Sequence, residues 1–230
     1  MKNIAIIVAG GEGKRMGRPK QFLKIAGRPM LAWTLEAFQK AKIIDGIILV
    51  VAKDKLAAAR KLKFTKILKV LPGGKERQDS VRNGLSALPA GCEIVAIHDG
   101  ARPAVTEEII GRAVRAAQKQ GAIVVGVPVK DTVKKIRNSK FEIRNNVQNS
   151  NVQIQETLDR KVLWQAQTPQ VFKKEILLRA YQSNATVTDD AMLVERLGIP
   201  VIMVMGSYLN LKVTTPEDLK IMEGVLAWKE

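Results

Sequence analysis

Five short runs of β-branched and aliphatic residues, Ile4 to Val8, Ile47 to Ala52, Ile67 to Leu71, Ile94 to Ile97 and Ile123 to Val127, are separated by segments of helical character. This alternation constrains the fold more than any other feature, because strands joined through helices pair in parallel and bury both faces of one sheet. It predicts an α/β chain with a mainly parallel central sheet. Helices are expected at Met30 to Ala41, Lys55 to Leu62, Asp79 to Leu88, Glu107 to Gln120 and Pro216 to Trp228. The last carries its proline in the first turn, where a missing N–H costs nothing. A further strand is expected at Val201 to Val204.

The rhythm breaks between Val129 and Leu163, where a polar stretch rich in asparagine and glutamine, Asn145 to Gln155, replaces the expected helix–strand unit. Alternating Phe141 and Ile143, then Val152 and Ile154, predict a protruding β-ribbon rather than a structureless loop. A ribbon of that length is protected most simply by pairing with another subunit.

No long polar linker divides the 230 residues, so one domain is expected. The longest apolar run, Gly46 to Ala52, is far too short to cross a bilayer. Glu12, Lys14 and Arg15 interrupt the apolar start that a secretory signal needs, which predicts a cytoplasmic protein. With one cysteine, Cys92, and one histidine, His98, neither an internal disulfide nor a Cys/His zinc cluster can form. The net charge of +16 favours anionic partners, among them nucleotides, phosphorylated metabolites and nucleic acid. Only 4% of residues are aromatic, a thin stacking surface for a single-strand binder.

Directly after the first strand come Ala9, Gly10, Gly11, Glu12, Gly13, Lys14, Arg15, Met16 and Gly17, with Lys20 close behind. Glycines at a strand-to-helix turn let backbone N–H groups approach phosphate oxygens, and in a parallel sheet this turn opens at the carboxyl end, where ligands bind. The pattern is neither a Walker A sequence, since Arg15 follows Lys14, nor a dinucleotide fingerprint, since Met16 stands where the third glycine belongs. Lys14, Arg15 and Lys20 suit a triphosphate, whose transfer chemistry is mainly positioning and charge neutralisation. A second glycine turn, Pro72 to Ser80, could bring a flat base close to Gly74 and the Ser80 hydroxyl. An ordinary turn with Asp79 or Ser80 assisting the helix start is the alternative.

A third turn, His98 to Pro103, offers Asp99 to a hydroxyl or a metal-bound nucleotide and Arg102 to a phosphate, unless the two close the turn as an ion pair. His98 is better suited to packing than to acid–base work. Asp131 and Thr132 begin the arm, Gln167 to Gln170 end it, and Lys212 adds another phosphate-directed cation just before the Thr215–Pro216 helix start.

In order, the motifs AGGxGxRM with PKQ, GGxxRxxSV, HDxARP and KVTxPED resemble those of the 2-C-methyl-D-erythritol 4-phosphate cytidylyltransferases of the non-mevalonate isoprenoid pathway, over nearly the whole chain. The resemblance implies a Rossmann-like nucleotidyltransferase fold in a single domain, residues 1–230, with a protruding dimerisation arm at about 129–163. It also implies a homodimer built through that arm, with CTP and a sugar-alcohol phosphate as substrates and no membrane or nucleic-acid partner. Mg²⁺ is the implied cofactor, held mainly through CTP phosphates rather than by protein ligands. Carried across, Arg15, Lys20 and Lys212 are catalytic. Ala9, Gly10, Gly11, Gly13, Gly74, Lys75 and Ser80 bind the nucleotide, and Asp99, Arg102, Thr132, Arg160 and Thr168 bind the acceptor.

The nearest rival is a ribitol-5-phosphate cytidylyltransferase, against which HDGARP argues. A dinucleotide-dependent oxidoreductase would use the first glycine turn and Asp54 yet leave Arg15, Lys20 and Lys212 idle. A basic nucleic-acid binder would account for the +16.

Overall fold

The computed structural model describes residues 1–11, 22–137, 153–183 and 185–228. Strand β1 (Asn3–Ala9) is followed by a small hairpin, β2 (Lys24–Ile25) and β3 (Arg28–Pro29), and by helix α1 (Met30–Lys40). Then come β4 (Gly46–Val51), α2 (Leu56–Arg60), β5 (Ile67–Pro72), α3 (Arg77–Leu85), β6 (Ile94–Asp99), α4 (Glu107–Gln120) and β7 (Ala122–Pro128). The arm contributes β8 (Lys134–Ile136) and β9 (Ile154–Thr157), and the chain returns through β10 (Trp164–Lys173), α5 (Lys174–Ala180), α6 (Asp190–Glu195), β11 (Ile202–Met205) and α7 (Pro216–Ala227).

Seven strands form one sheet in the order β11-β7-β10-β6-β1-β4-β5. All neighbours run parallel except β10, which is antiparallel to both β6 and β7. The chain winds outward from β1 through β4 to β5, then crosses back to place β6 on the other side of β1. That reversal makes the carboxyl ends of β1 and β6 the switch point at which open α/β sheets bind ligands.

Strands β1, β4 and β7 read as nearly unbroken apolar runs because both faces are covered. Ala5, Ile7 and Ala9 pack with Leu35 and Phe38 of α1 and Ile110 and Val114 of α4. The alternate residues Ile4 and Ile6 pack with Val81 and Leu85 of α3, Leu177 of α5 and Val194 of α6. This period-two division between two helical layers follows from the pleat. A smaller cluster joins α7, through Met222 and Leu226, to Met30 and to Ala101 in the turn after β6.

Helix α2 is shorter than the expected Lys55 to Leu62, part of which forms a 3-10 turn at Lys53–Lys55. Strand β10 runs through Thr168 and Pro169, joined by a cis peptide bond, and its register shifts between Ala166 and Gln170. The arm's base is a two-stranded antiparallel ribbon pairing β8 with β9. Of the residues whose alternation predicts a ribbon, Ile154 lies in β9, whereas Phe141, Ile143 and Val152 fall outside the described residues. Among the described residues no helix is long and apolar enough to cross a membrane.

Helix α3 approaches β1 closely through Gly84, where an added Cβ would come within 2.6 Å of Ile6 Cγ2. Alanine in mid-helix ordinarily stabilises relative to glycine. Here the overlap reverses the sign, and Gly84→Ala is expected to destabilise by about 1–3 kcal/mol, read from the urea unfolding midpoint. A variant as stable as the parent would show that α3 can shift off the sheet without cost.

Candidate active site

The first two glycine turns lie back to back. A Cβ on Gly10 would sit 3.3 Å from the Ser80 hydroxyl oxygen and 3.4 Å from the Gly73 Cα, so the two turns approach closely enough to leave little room for a side chain. At Gly74 a Cβ would overlap that of Asp79. The Ser80 hydroxyl is buried between the turns, accepting from the Gly74 N–H at 3.1 Å and donating to the Glu76 carbonyl at 3.2 Å. Its role in this geometry is to hold the turn. Asp79 accepts from the Glu76 N–H at 3.0 Å, so it does assist the start of α3. Ala9, Gly10 and Gly11 lead away from the β1 end, and Lys75 is exposed on the second turn. Gly13, Arg15 and Lys20 lie outside the described residues.

The third turn sits beside the first, with the Gly100 N–H donating to the Val8 carbonyl at 2.8 Å. Asp99, the last residue of β6, is 7% exposed and divides its carboxylate between two cations. Arg77 Nε donates to Oδ1 at 2.9 Å, and Lys212 Nζ meets Oδ2 at 2.8 Å. Burial would push the Asp99 pKa up, but the charges of Arg77 and Lys212 more than reverse that and hold it well below the usual carboxylate range. The Asp99–Arg102 ion pair considered for this turn is replaced by these two.

Arg102 instead donates from its two terminal nitrogens to the carbonyls of Asn210, at 2.8 Å, and Ala166, at 3.5 Å. It has no carboxylate within ion-pair distance among the described residues, and burial lowers its pKa. Lys212 reaches Asp99 because two contacts fix its segment. The Val213 N–H donates to the Ala101 carbonyl at 2.8 Å, and a capping box anchors α7 through Thr215 and Asp218.

Behind Asp99 runs a chain of neutral hydrogen bonds. The Asp99 N–H donates to Thr168 Oγ1 at 3.1 Å, the Thr168 hydroxyl donates to His98 Nδ1 at 3.0 Å, and His98 Nε2 donates to the Arg102 carbonyl at 3.3 Å. This order of donors sets the imidazole tautomer. His98 is fully buried against the Phe38 ring, and desolvation lowers its pKa to about 3. It is a neutral packing residue. Thr168 is likewise turned inward and orients Asp99.

Thr132 and Arg160 are brought to the base of the ribbon rather than to this cluster. Thr132 is exposed, and Arg160, in the 3-10 turn Arg160–Val162, donates to the Lys130 carbonyl at 2.6 Å.

Two groups carry the cluster without any mark in the sequence reading beyond the arginine of GGxxRxxSV. Arg77 bridges Asp99 to Asp190, whose Oδ2 lies 2.9 Å from Arg77 NH1. Asp190 Oδ1 accepts from the Tyr181 hydroxyl. Asp190 stands on a short helix far along the chain, where no spacing rule connects it to a glycine turn.

A sequence model of the 2-C-methyl-D-erythritol 4-phosphate cytidylyltransferase family matches residues 3–227. The chain belongs to that family. It is 44% identical to a 2-C-methyl-D-erythritol 4-phosphate cytidylyltransferase from Alkaliphilus metalliredigens, over 98% of this chain and 93% of the relative. It is 45% identical to one from Syntrophus aciditrophicus, over 100% of this chain and 97% of the relative. The crystal structure of 4-diphosphocytidyl-2C-methyl-D-erythritol synthase from Anaerococcus prevotii superposes with a TM-score of 0.83 at 32% identity, covering 98% of each chain. This family member thus carries the fold and all four motifs that the sequence resemblance rests on.

Neutral, buried His98 makes stability depend on pH. The unfolded chain binds its proton near pH 6.5, whereas the folded state resists until about 3. Stability contributed by this group is therefore full above pH 6.5 and falls as pH drops through that window, by at most about 1.4 kcal/mol per unit. Urea unfolding between pH 7 and pH 5 should show a steeper loss in the wild-type protein than in His98→Gln. Parallel profiles would mean that the imidazole charges without leaving its site.

Proposed function

We propose that the chain transfers CMP from CTP to 2-C-methyl-D-erythritol 4-phosphate, releasing pyrophosphate and 4-diphosphocytidyl-2-C-methyl-D-erythritol for isoprenoid precursor synthesis. Family membership supports the two substrates. The observation that carries the chemistry is the surplus of positive charge at the switch point, where Arg77, Arg102 and Lys212 gather around Asp99. A group of phosphates is the ligand such a site favours.

In this reaction an acceptor phosphate oxygen attacks the α-phosphorus in line, the bond to the bridging oxygen breaks, and its electron pair leaves with pyrophosphate. The nucleophile is already an anion, so no general base is needed. That requirement agrees with a lone histidine held neutral and buried. Arg102 and Lys212 hold the acceptor phosphate, the glycine turns cradle the nucleotide, and Arg15 and Lys20 neutralise charge building on the α-phosphate.

Mg²⁺ belongs to the same reading. Among the described residues no group of three or more His, Cys, Asp or Glu is spaced to hold a metal, and both oxygens of Asp99 already face cations. That donor set fits an ion carried chiefly by phosphate oxygens, with Asp99 the carboxylate at hand. When bound, the ion supplies positive charge across the phosphates. A cytoplasmic homodimer completes the proposal. The two-stranded ribbon leaves Ile154 exposed, with Val162 and Trp164 exposed close by, and a partner's arm would cover such residues and bring Thr132 and Arg160 to a neighbouring site.

Pyrophosphate release from purified protein with Mg²⁺ and CTP tests the assignment, with 2-C-methyl-D-erythritol 4-phosphate and ribitol 5-phosphate compared as acceptors. Release with the former alone is expected. Release with ribitol 5-phosphate alone would keep the chemistry and change the acceptor.

A further inference from the structure

Arg77 ties together three parts of the chain that lie far apart in sequence. It begins α3, its Nε holds Asp99 at the end of β6, and its NH1 holds Asp190 at the start of α6. Asp190 is 1% exposed and does not drift: Tyr181 donates to its Oδ1, while its own N–H donates to Gln170 Oε1 at 3.1 Å. Gln170 lies two residues beyond Thr168 on β10, and Thr168 accepts the Asp99 N–H. Both the backbone and the side chain of Asp99 are thus referred to the same rigid strand.

At the other end of the relay is Lys212, with 36% of its side chain exposed and its ammonium on the second oxygen of Asp99. A buried ion pair is a poor way to stabilise a fold, since apolar residues of similar volume do as well or better. Its use is directional. Only a guanidinium can hold two carboxylates at once in a fixed plane, and a lysine in its place would keep the charge and lose one of them.

We propose that Arg77 is a positioning residue for Lys212: anchored on Asp190, it fixes the rotation of the Asp99 carboxylate, and Asp99 in turn aims the Lys212 ammonium at the reacting phosphates. The inference rests on the transfer reaction proposed above. Arg77 need not touch substrate. It acts through Lys212, so its effect on turnover exists only while Lys212 is present.

A double-mutant cycle reads this directly. Arg77→Lys is expected to lower kcat about tenfold or more while the KM for CTP stays within about twofold, because the loss is one of aim rather than of nucleotide binding. In a Lys212→Ala background the same change should alter kcat by less than about twofold. Residual turnover is followed over hours at high enzyme concentration, with Lys212→Arg as the background if Lys212→Ala turns over too slowly to measure. Asp190→Asn, which keeps the shape and removes the anchoring charge, should show the same dependence on Lys212 and serves if Arg77→Lys does not fold. Equal losses in both backgrounds would overturn the proposal and leave Arg77 with a structural role or a direct contact. Absence of product from the wild-type control would instead overturn the proposed function, so the two failures are distinct.

Discussion

A carboxylate at the buried end of β6 cannot stay ionised without cations beside it, and Asp99 has two, Arg77 from before it in the chain and Lys212 from well after it. Much of the surrounding architecture serves that meeting. The switch of strand order sets β6 beside β1, so the turn holding Asp99 borders the first glycine turn. Helix α3 delivers Arg77 from the second glycine turn, and the capped start of α7 holds Lys212 in place. Were the carboxylate lost, Arg77 would keep its anchor on Asp190, but the cations would repel one another and Lys212 would lose the ion pair that sets its direction.

The same arrangement explains why the chain manages with one histidine. Transfer between two phosphates needs charge and alignment more than proton traffic. His98 contributes alignment alone, passing a hydrogen bond from Thr168 to the Arg102 carbonyl and so linking β10 to the turn after β6. Part of the +16 lies elsewhere. Lys69 is exposed on the edge strand β5, and Lys61 and Lys63 are exposed just before it, where charge discourages strand-to-strand association.

The parallel core was legible in the sequence because fully buried strands appear as uninterrupted aliphatic runs, and α1, α4 and α7 because each has length enough to show its period or its cap. Strand β10 was not, since Thr168–Pro169 and flanking glutamines read as a turn, and only a register shift in the ladder lets them lie within a strand. Helices α5 and α6 are seven and six residues long, too short for periodicity to speak. At the site, the glycine turns, Asp99, Arg102 and Lys212 stood out through local patterns of charge and glycine. Asp190 and Tyr181 did not, because their significance is a contact across the fold, and Ser80 and Thr168 carried hydroxyls whose inward direction no spacing reveals.

The most direct test of this account is steady-state kinetics of Asp99→Asn beside its thermal unfolding curve. Asparagine keeps the shape and removes the charge that Arg77 and Lys212 share. A folded variant with kcat reduced about a hundredfold, and a KM for CTP no higher than the parent's, is the predicted result, since freed cations still attract anions but no longer hold their aim. A folded variant turning over at the parental rate would contradict the account.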